Sequence, residues 1–254
     1  MRERDFYIMF LVAAAIFMLT VDRLGVRSAA RKKSSLKPSR SSAQTHSLQM
    51  SPSPRILCYG DSLTAGLSPP LNEMHPYAPY LEQALHQQTS LSNAIVRHRG
   101  LPGWTSSQML AEANGDQTGL RSAIQLGAPI DVVIILAGTN DLAYVEQVQP
   151  ILEAILAMHQ LCYDEGVQRT IALGIPSSGY QSVNQPVSLL AESINTELAN
   201  FAQREPRATF VPFPFAFSDG DDKWAPDGLH FTPHGYQVLG SALAPTVESI
   251  LKIS

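Results

Sequence analysis

Asp131-Val132-Val133-Ile134-Ile135-Leu136 runs directly into Ala137-Gly138-Thr139-Asn140-Asp141. Five aliphatic residues in a row, most of them β-branched, show no polar alternation, so both faces of this strand must be covered. That is the pattern of a central strand in a parallel sheet. In such sheets ligands bind beyond the carboxyl ends of the strands. The polar Gly-Thr-Asn-Asp segment therefore stands where chemistry is expected.

Outward from this strand, strand-like and helix-like runs alternate. Arg55 to Cys58 reads as a first strand and Ala94 to Arg99 as a second; Arg169 to Leu173 and Thr209 to Val211 follow the central one. Tyr77 to Gln88 has apolar residues at helical spacing, at Tyr77, Tyr80, Leu81, Ala84 and Leu85. Thr105 is an N-cap candidate for a helix through Met109 and Leu110. Pro150 to Tyr163 predicts a long helix closed by Gly166, Val187 to Ala202 another, and Pro233 to Leu251 a last one. The alternation predicts an α/β fold with a parallel sheet flanked by helices. Neither an internal repeat nor a second core is visible.

Charge divides the 254-residue chain unevenly. Residues 1–54 hold nine Lys/Arg against three Asp/Glu, and the remaining 200 hold nine against nineteen. An acidic body is a poor partner for nucleic acid, which needs clustered Lys and Arg to neutralise phosphates. Cys58 and Cys162 belong to no CxxC pair, which argues against a zinc site or a disulfide scaffold. Cys58, inside the first strand, reads as a small buried hydrophobe.

Tyr7 to Val21 is an uncharged, mostly apolar run of fifteen residues. It is short of the roughly 20 that cross a bilayer comfortably and long for a signal-peptide core. From Arg23 to Ser51 there is no acidic residue. Residues 1–27 are read as a signal peptide or signal anchor, 28–54 as a basic Ser-rich linker, and 55–254 as the folded domain. The expected location is the secretory pathway or a membrane held by residues 7–21, with a two-part organelle address as the alternative.

The chemical groups lie at the strand ends. Gly60-Asp61-Ser62-Leu63-Thr64 follows the first strand, where a fixed backbone can present a nucleophile at the lip of the sheet. The plainer reading is a turn in which Asp61 satisfies backbone N–H groups. Asp227-Gly228-Leu229-His230 can fold back so that the carboxylate orients the ring, as an activating base requires. A helix-capping surface histidine is the competing reading, and His230-x3-His234 has metal-ligand spacing but lacks a third ligand. The Asn140 amide can donate to a developing oxyanion or merely cap a helix. Gly103, in Gly100-Leu-Pro-Gly103-Trp104-Thr105, lets a backbone N–H approach a ligand, or simply makes a turn.

These four blocks, in this order, resemble the SGNH (GDSL-type) esterase and lipase superfamily. The resemblance runs from about Arg55 to the C-terminus. It implies a three-layer α/β/α sandwich, flavodoxin-like, with a five-stranded parallel sheet. It implies Ser62 as nucleophile, His230 as general base and Asp227 as its orienting acid. The oxyanion hole would be the N–H groups of Ser62 and Gly103 with the Asn140 side chain. No Gly-x-Ser-x-Gly elbow occurs, so the ordinary α/β-hydrolase pattern is absent. The activity implied is hydrolysis of carboxylic esters without metal or cofactor; an acyltransferase on the same groups, or an ester- or carbohydrate-binding module, is the alternative. Short acyl or acetyl esters are the first expectation for a small-molecule substrate, with lysolipids or thioesters second. Trp104, Tyr77 and Leu142 are expected to touch substrate. Leu67, Pro69, Tyr144 and Tyr180 are candidates for the pocket mouth, and the loop Ser68 to Pro79, with His75 at its surface, for the rim.

Overall fold

The structure, a computed structural model, describes residues 53–87 and 91–253. The signal or anchor segment (1–27) and the linker up to residue 52 lie outside the described residues.

Five strands build one parallel sheet: β1 (Arg55–Gly60), β4 (Ile95–Gly100), β5 (Val132–Leu136), β6 (Arg169–Leu173) and β7 (Ala208–Val211). Two further strands, β2 (Leu67–Ser68) and β3 (Glu73–Met74), pair antiparallel as a short hairpin. The order across the main sheet is β4-β1-β5-β6-β7. Strand order therefore reverses at β1, the flavodoxin-like arrangement that opens a crevice at the carboxyl ends of β1 and its neighbours.

Alternate residues of each strand supply two cores. Leu57, Tyr59, Val133, Ile135 and Ala172 face four helices, α3 (Ser106–Ala111), α4 (Leu120–Gly127), α5 (Val148–Asp164) and α7 (Gln185–Arg204). Ile56, Cys58, Ile134, Leu136 and Leu173 face α2 (Ala78–His86) and α8 (Pro233–Ile253). All of β5 is buried, as the unbroken aliphatic run requires. Cys58 and Cys162 are both free and buried. Burial pushes the Cys58 thiol up to about 12, so it serves as core and not as a reactive thiolate.

Local signals in the sequence account for several element ends. Thr105 caps α3 in a reciprocal capping box with Gln108. Gly166 closes α5 in the left-handed conformation (φ +84°). There the Gly166 N–H donates to the Tyr163 carbonyl and the Val167 N–H to that of Cys162, the paired bonds of a Schellman end. α5 starts at Val148, two residues before Pro150, because a first-turn proline gives up an N–H that has no intrahelical partner. α1 (Ser62–Ala65), α6 (Gly179–Val183) and the β2–β3 hairpin are additions to the predicted elements, being too short to show periodicity. α4 is another, although Leu120, Ala123, Ile124 and Gly127 already lie at helical spacing.

One buried titratable group sits far from the crevice. His159 of α5 is fully buried, its Nδ1 is 2.8 Å from the Thr170 hydroxyl, and its ring packs on Phe201. Burial holds it down at about 3, against an ordinary value of 6.5. Between those limits the unfolded chain binds a proton that the folded state refuses, so acidification destabilises the fold. Urea unfolding at pH 7 and pH 5 should therefore show wild type losing about 2 kcal/mol more than His159→Leu over that interval.

Candidate active site

β1 delivers Ser62 to the crevice. Pairing aligns Gly60 with Gly100 of β4 on one side and with Leu136 of β5 on the other. The three loops that follow therefore leave the sheet at one level. Gly60 is needed for space: an added Cβ would lie 2.2 Å from the Leu136 carbonyl oxygen, and its φ is not positive. Gly100 is constrained likewise, by the α1 backbone 2.1 Å from the position of a Cβ. The chain can then turn at once into α1. Asp61 caps it, its Oδ1 accepting from the Leu63 N–H at 2.9 Å. The turn-forming reading of Asp61 is thus correct, and it holds together with the contact that Ser62 makes with His230. Burial pushes the Asp61 carboxyl up to about 6, against the pull of the Leu63 N–H and of His230.

Asp227 and His230 come from a clipped hairpin before α8. The Ala225 N–H donates to the His230 carbonyl at 2.9 Å and the Thr232 N–H to the Lys223 carbonyl at 3.0 Å. Gly228, at φ +66°, makes the turn between them. An aromatic ladder backs the hairpin. Phe231 is wholly buried and meets Trp224, Phe215, Phe213 and Tyr236 with ring centroids 4.8–5.4 Å apart. Such tilted and edge-to-face pairs add stabilisation beyond their area. The run Val211-Pro212-Phe213-Pro214-Phe215-Ala216-Phe217 marks an aromatic-rich segment, but nothing local in it points to this hairpin.

The groups meet in a short relay. His230 Nδ1 lies 2.6 Å from Asp227 Oδ2, and His230 Nε2 lies 2.9 Å from Ser62 Oγ. Asp227 Oδ1 accepts from the N–H groups of Leu229 and His230, both at 3.0 Å. Burial pushes the Asp227 carboxyl up, but the hydrogen bond and charge of the His230 ring, together with these N–H groups, hold it below its ordinary value. An ionised Asp227 only accepts, so Nδ1 carries the proton and Nε2 is free to accept from the serine hydroxyl.

Across the crevice, Gly103 adopts φ +80°, which favours glycine, while the space at its missing Cβ is open for 4 Å. Among the described residues, neither the Gly103 nor the Ser62 N–H has an acceptor. Asn140 makes no side-chain cap to the 3-10 turn Asp141–Ala143 that follows it. Its Nδ2 donates instead to the Trp104 carbonyl at 3.0 Å, which leaves the second amide hydrogen for a ligand.

The substrate-contact expectations fare unevenly. Trp104 is half-buried on the Gly103 turn, beside the donors. Tyr77 is fully buried among the side chains that pack α2 and α8 on the sheet, and the expectation that it touches substrate is corrected: its ring serves the core. Leu142, in the turn after Asn140, packs with the opposite core. Tyr144 is exposed. His234 is an exposed residue of α8 whose Nε2 lies 3.9 Å from Asp222.

The protein is thus a three-layer α/β/α fold with a serine, a histidine and a carboxylate in series at its switch point. The chain belongs to the GDSL-like lipase/acylhydrolase family, whose model matches residues 58–238 and so spans every block from Ser62 to His230. Among solved structures it is similar to a carbohydrate acetylesterase family member from Sinorhizobium meliloti (19% identity, TM-score 0.61, 78% of this chain and 99% of that one). It is also similar to a lipase/acylhydrolase from Enterococcus faecalis (20% identity, TM-score 0.59, 77% and 96%). A GDSL-like lipase from Bacteroides thetaiotaomicron is a third (18% identity, TM-score 0.54, 77% and 88%). These likenesses establish the fold. Comparison with curated protein sequences gives no match.

Phe231→Ala should cost about 3–5 kcal/mol in urea unfolding, since it empties the centre of the ladder behind the hairpin that carries Asp227 and His230. Phe231→Leu should cost clearly less, because it refills most of the volume.

Proposed function

We propose that this ester-hydrolase family member is a serine esterase that works through an acyl-enzyme on Ser62. The observation that carries the reading is the relay Asp227–His230–Ser62, with separations of 2.6 and 2.9 Å. His230 Nε2 takes the Ser62 proton as Oγ attacks the ester carbonyl carbon. The carbonyl oxygen becomes an oxyanion held by the N–H groups of Ser62 and Gly103 and by the Asn140 amide. His230 then protonates the leaving alkoxide, and the acyl group stays on Ser62. Water, deprotonated by His230, attacks the acyl-enzyme and releases the acid. Asp227 keeps the ring in the required tautomer and stabilises it when charged.

Short acyl or acetyl esters are the proposed substrates. Half-buried Trp104 beside the donors gives an apolar wall, and a similar fold serves a carbohydrate acetylesterase family member. Lysolipids are the longer-chain alternative. A series of p-nitrophenyl esters should give kcat/KM that falls with acyl length; a rise toward long chains would favour the lipid. Ser62→Ala should abolish labelling by a fluorophosphonate probe. Asn140→Ala should fold and label slowly, with turnover down about 100- to 1000-fold. An undiminished Asn140→Ala would remove that residue from the oxyanion site. With an alcohol acceptor present, free acid should remain the main product; transfer to the alcohol would make the protein an acyltransferase.

The apolar run Tyr7–Val21 with its basic flank supports export, or anchoring at a membrane, of the acidic domain. Mass spectrometry of the protein from its native host should find either a chain shortened by about the first 27 residues or a membrane-bound full-length one.

A further inference from the structure

Two residues outside the relay tie the donor loops to each other. Asp141 follows Asn140 and is 1% exposed, and Ser106 follows the Gly103-Trp104-Thr105 turn and is fully buried. The Ser106 hydroxyl donates to Asp141 Oδ1 at 2.6 Å, and the Ser106 N–H donates to Asp141 Oδ2 at 2.9 Å. Both carboxylate oxygens are thus used on one residue of the other loop. One position before Asp141 and two before Ser106, Asn140 Nδ2 donates to the Trp104 carbonyl. The ends of this clamp are themselves fixed. The Asp141 carbonyl accepts from the N–H groups of Tyr144 and Val145, and Ser106 opens a helix with a complete capping box.

We propose that Asp141 and Ser106 are positioning residues that set the separation and aim of two oxyanion donors, the Gly103 N–H and the Asn140 amide. The inference rests on the reading of those two groups as donors. Its physical content is that neither donor sits on a long rigid element: Gly103 lies in a glycine turn and Asn140 in a single 3-10 turn. A site that stabilises a developing charge must hold its donors before the charge appears. A displacement near 1 Å can cost on the order of 100-fold in rate. A buried carboxylate gripping both a hydroxyl and an N–H supplies the missing rigidity with charge-assisted bonds.

The test compares Ser106→Ala, Ser106→Thr, Asp141→Asn and the double variant Ser106→Ala/Asp141→Asn, with Asn140→Ala as the reference. Active enzyme is counted by fluorophosphonate titration, so that a fold defect does not pass for a kinetic one. Ser106→Ala should lower kcat about 10-fold with KM within about twofold, as expected when an interaction acts in the transition state. Asp141→Asn, which keeps the shape but can accept only one of the two bonds, should lose about 10- to 100-fold. The double variant should be no worse than Asp141→Asn alone, because both changes break one clamp. Inhibition by a trifluoromethyl ketone, which forms an oxyanion, should weaken in step with kcat/KM, and Ser106→Thr should restore most of both. A normal kcat per titrated site in Ser106→Ala overturns the inference, as does a loss confined to KM. If Asp141→Asn does not fold, Ser106→Ala still decides, since it removes one hydroxyl and keeps the backbone bond. Should Asn140→Ala itself be fully active, the donor assignment has failed; should it be crippled while the clamp variants are normal, only the clamp has failed.

Discussion

The parallel register of β1 against its two neighbours is the constraint on which the site depends. Gly60 stands level with Gly100 and with Leu136, so the chain leaves three adjacent strands in one plane. Ser62, Gly103 and Asn140 lie two, three and four residues beyond those points. A slip of one residue in any of the strands would turn its side chains to the other face and unpair its loop from the others. What prevents the slip is burial. The unbroken aliphatic run of β5 has a core on each side, and alternate residues of β1 belong to different cores.

The fourth contribution arrives by another route. Asp227 and His230 are carried by an irregular segment with no regular strand behind it, and 168 residues separate His230 from Ser62. The rigidity that β1 obtains from pairing is obtained here from rings: Phe231 and Trp224 pack edge-to-face within a ladder, while a pair of backbone hydrogen bonds clips the hairpin shut. Phe217 also reaches the turn, lying 3.3 Å from the point where a Cβ of Gly228 would be. The relay is thus fixed from both ends by different means.

Polar burial is concentrated at the same end of the sheet. Asp61 and Asp141 are almost inaccessible; Asp61 accepts from the Leu63 N–H of its own turn and Asp141 from the Ser106 N–H of the neighbouring loop. Buried carboxylates cost desolvation energy, which is visible in the upward displacement of both groups. In exchange, short turns are held where hydrophobic packing has too little surface to act. The fold spends stability at the mouth of the crevice and recovers it in the two cores.

The sequence by itself determined the elements and the kinds of groups at the strand ends. The aliphatic run 132–136, the cap at Thr105, the stop at Gly166 and the blocks at Ser62, Gly103, Asn140 and Asp227–His230 are local signals, set by period, capping chemistry and backbone freedom. Tertiary structure alone decided which groups touch. Tyr77 and Leu142 could be read as entrance residues because an apolar side chain carries no local mark of the face it will occupy; packing turned both inward. Asn140 could have capped its own turn, and only the neighbouring loop diverts its amide to the Trp104 carbonyl. The grip of Asp141 on Ser106, 35 residues away, had no sequence signature at all. Hydrogen bonds between separate loops depend on strand order and register, and those are properties of the packed sheet.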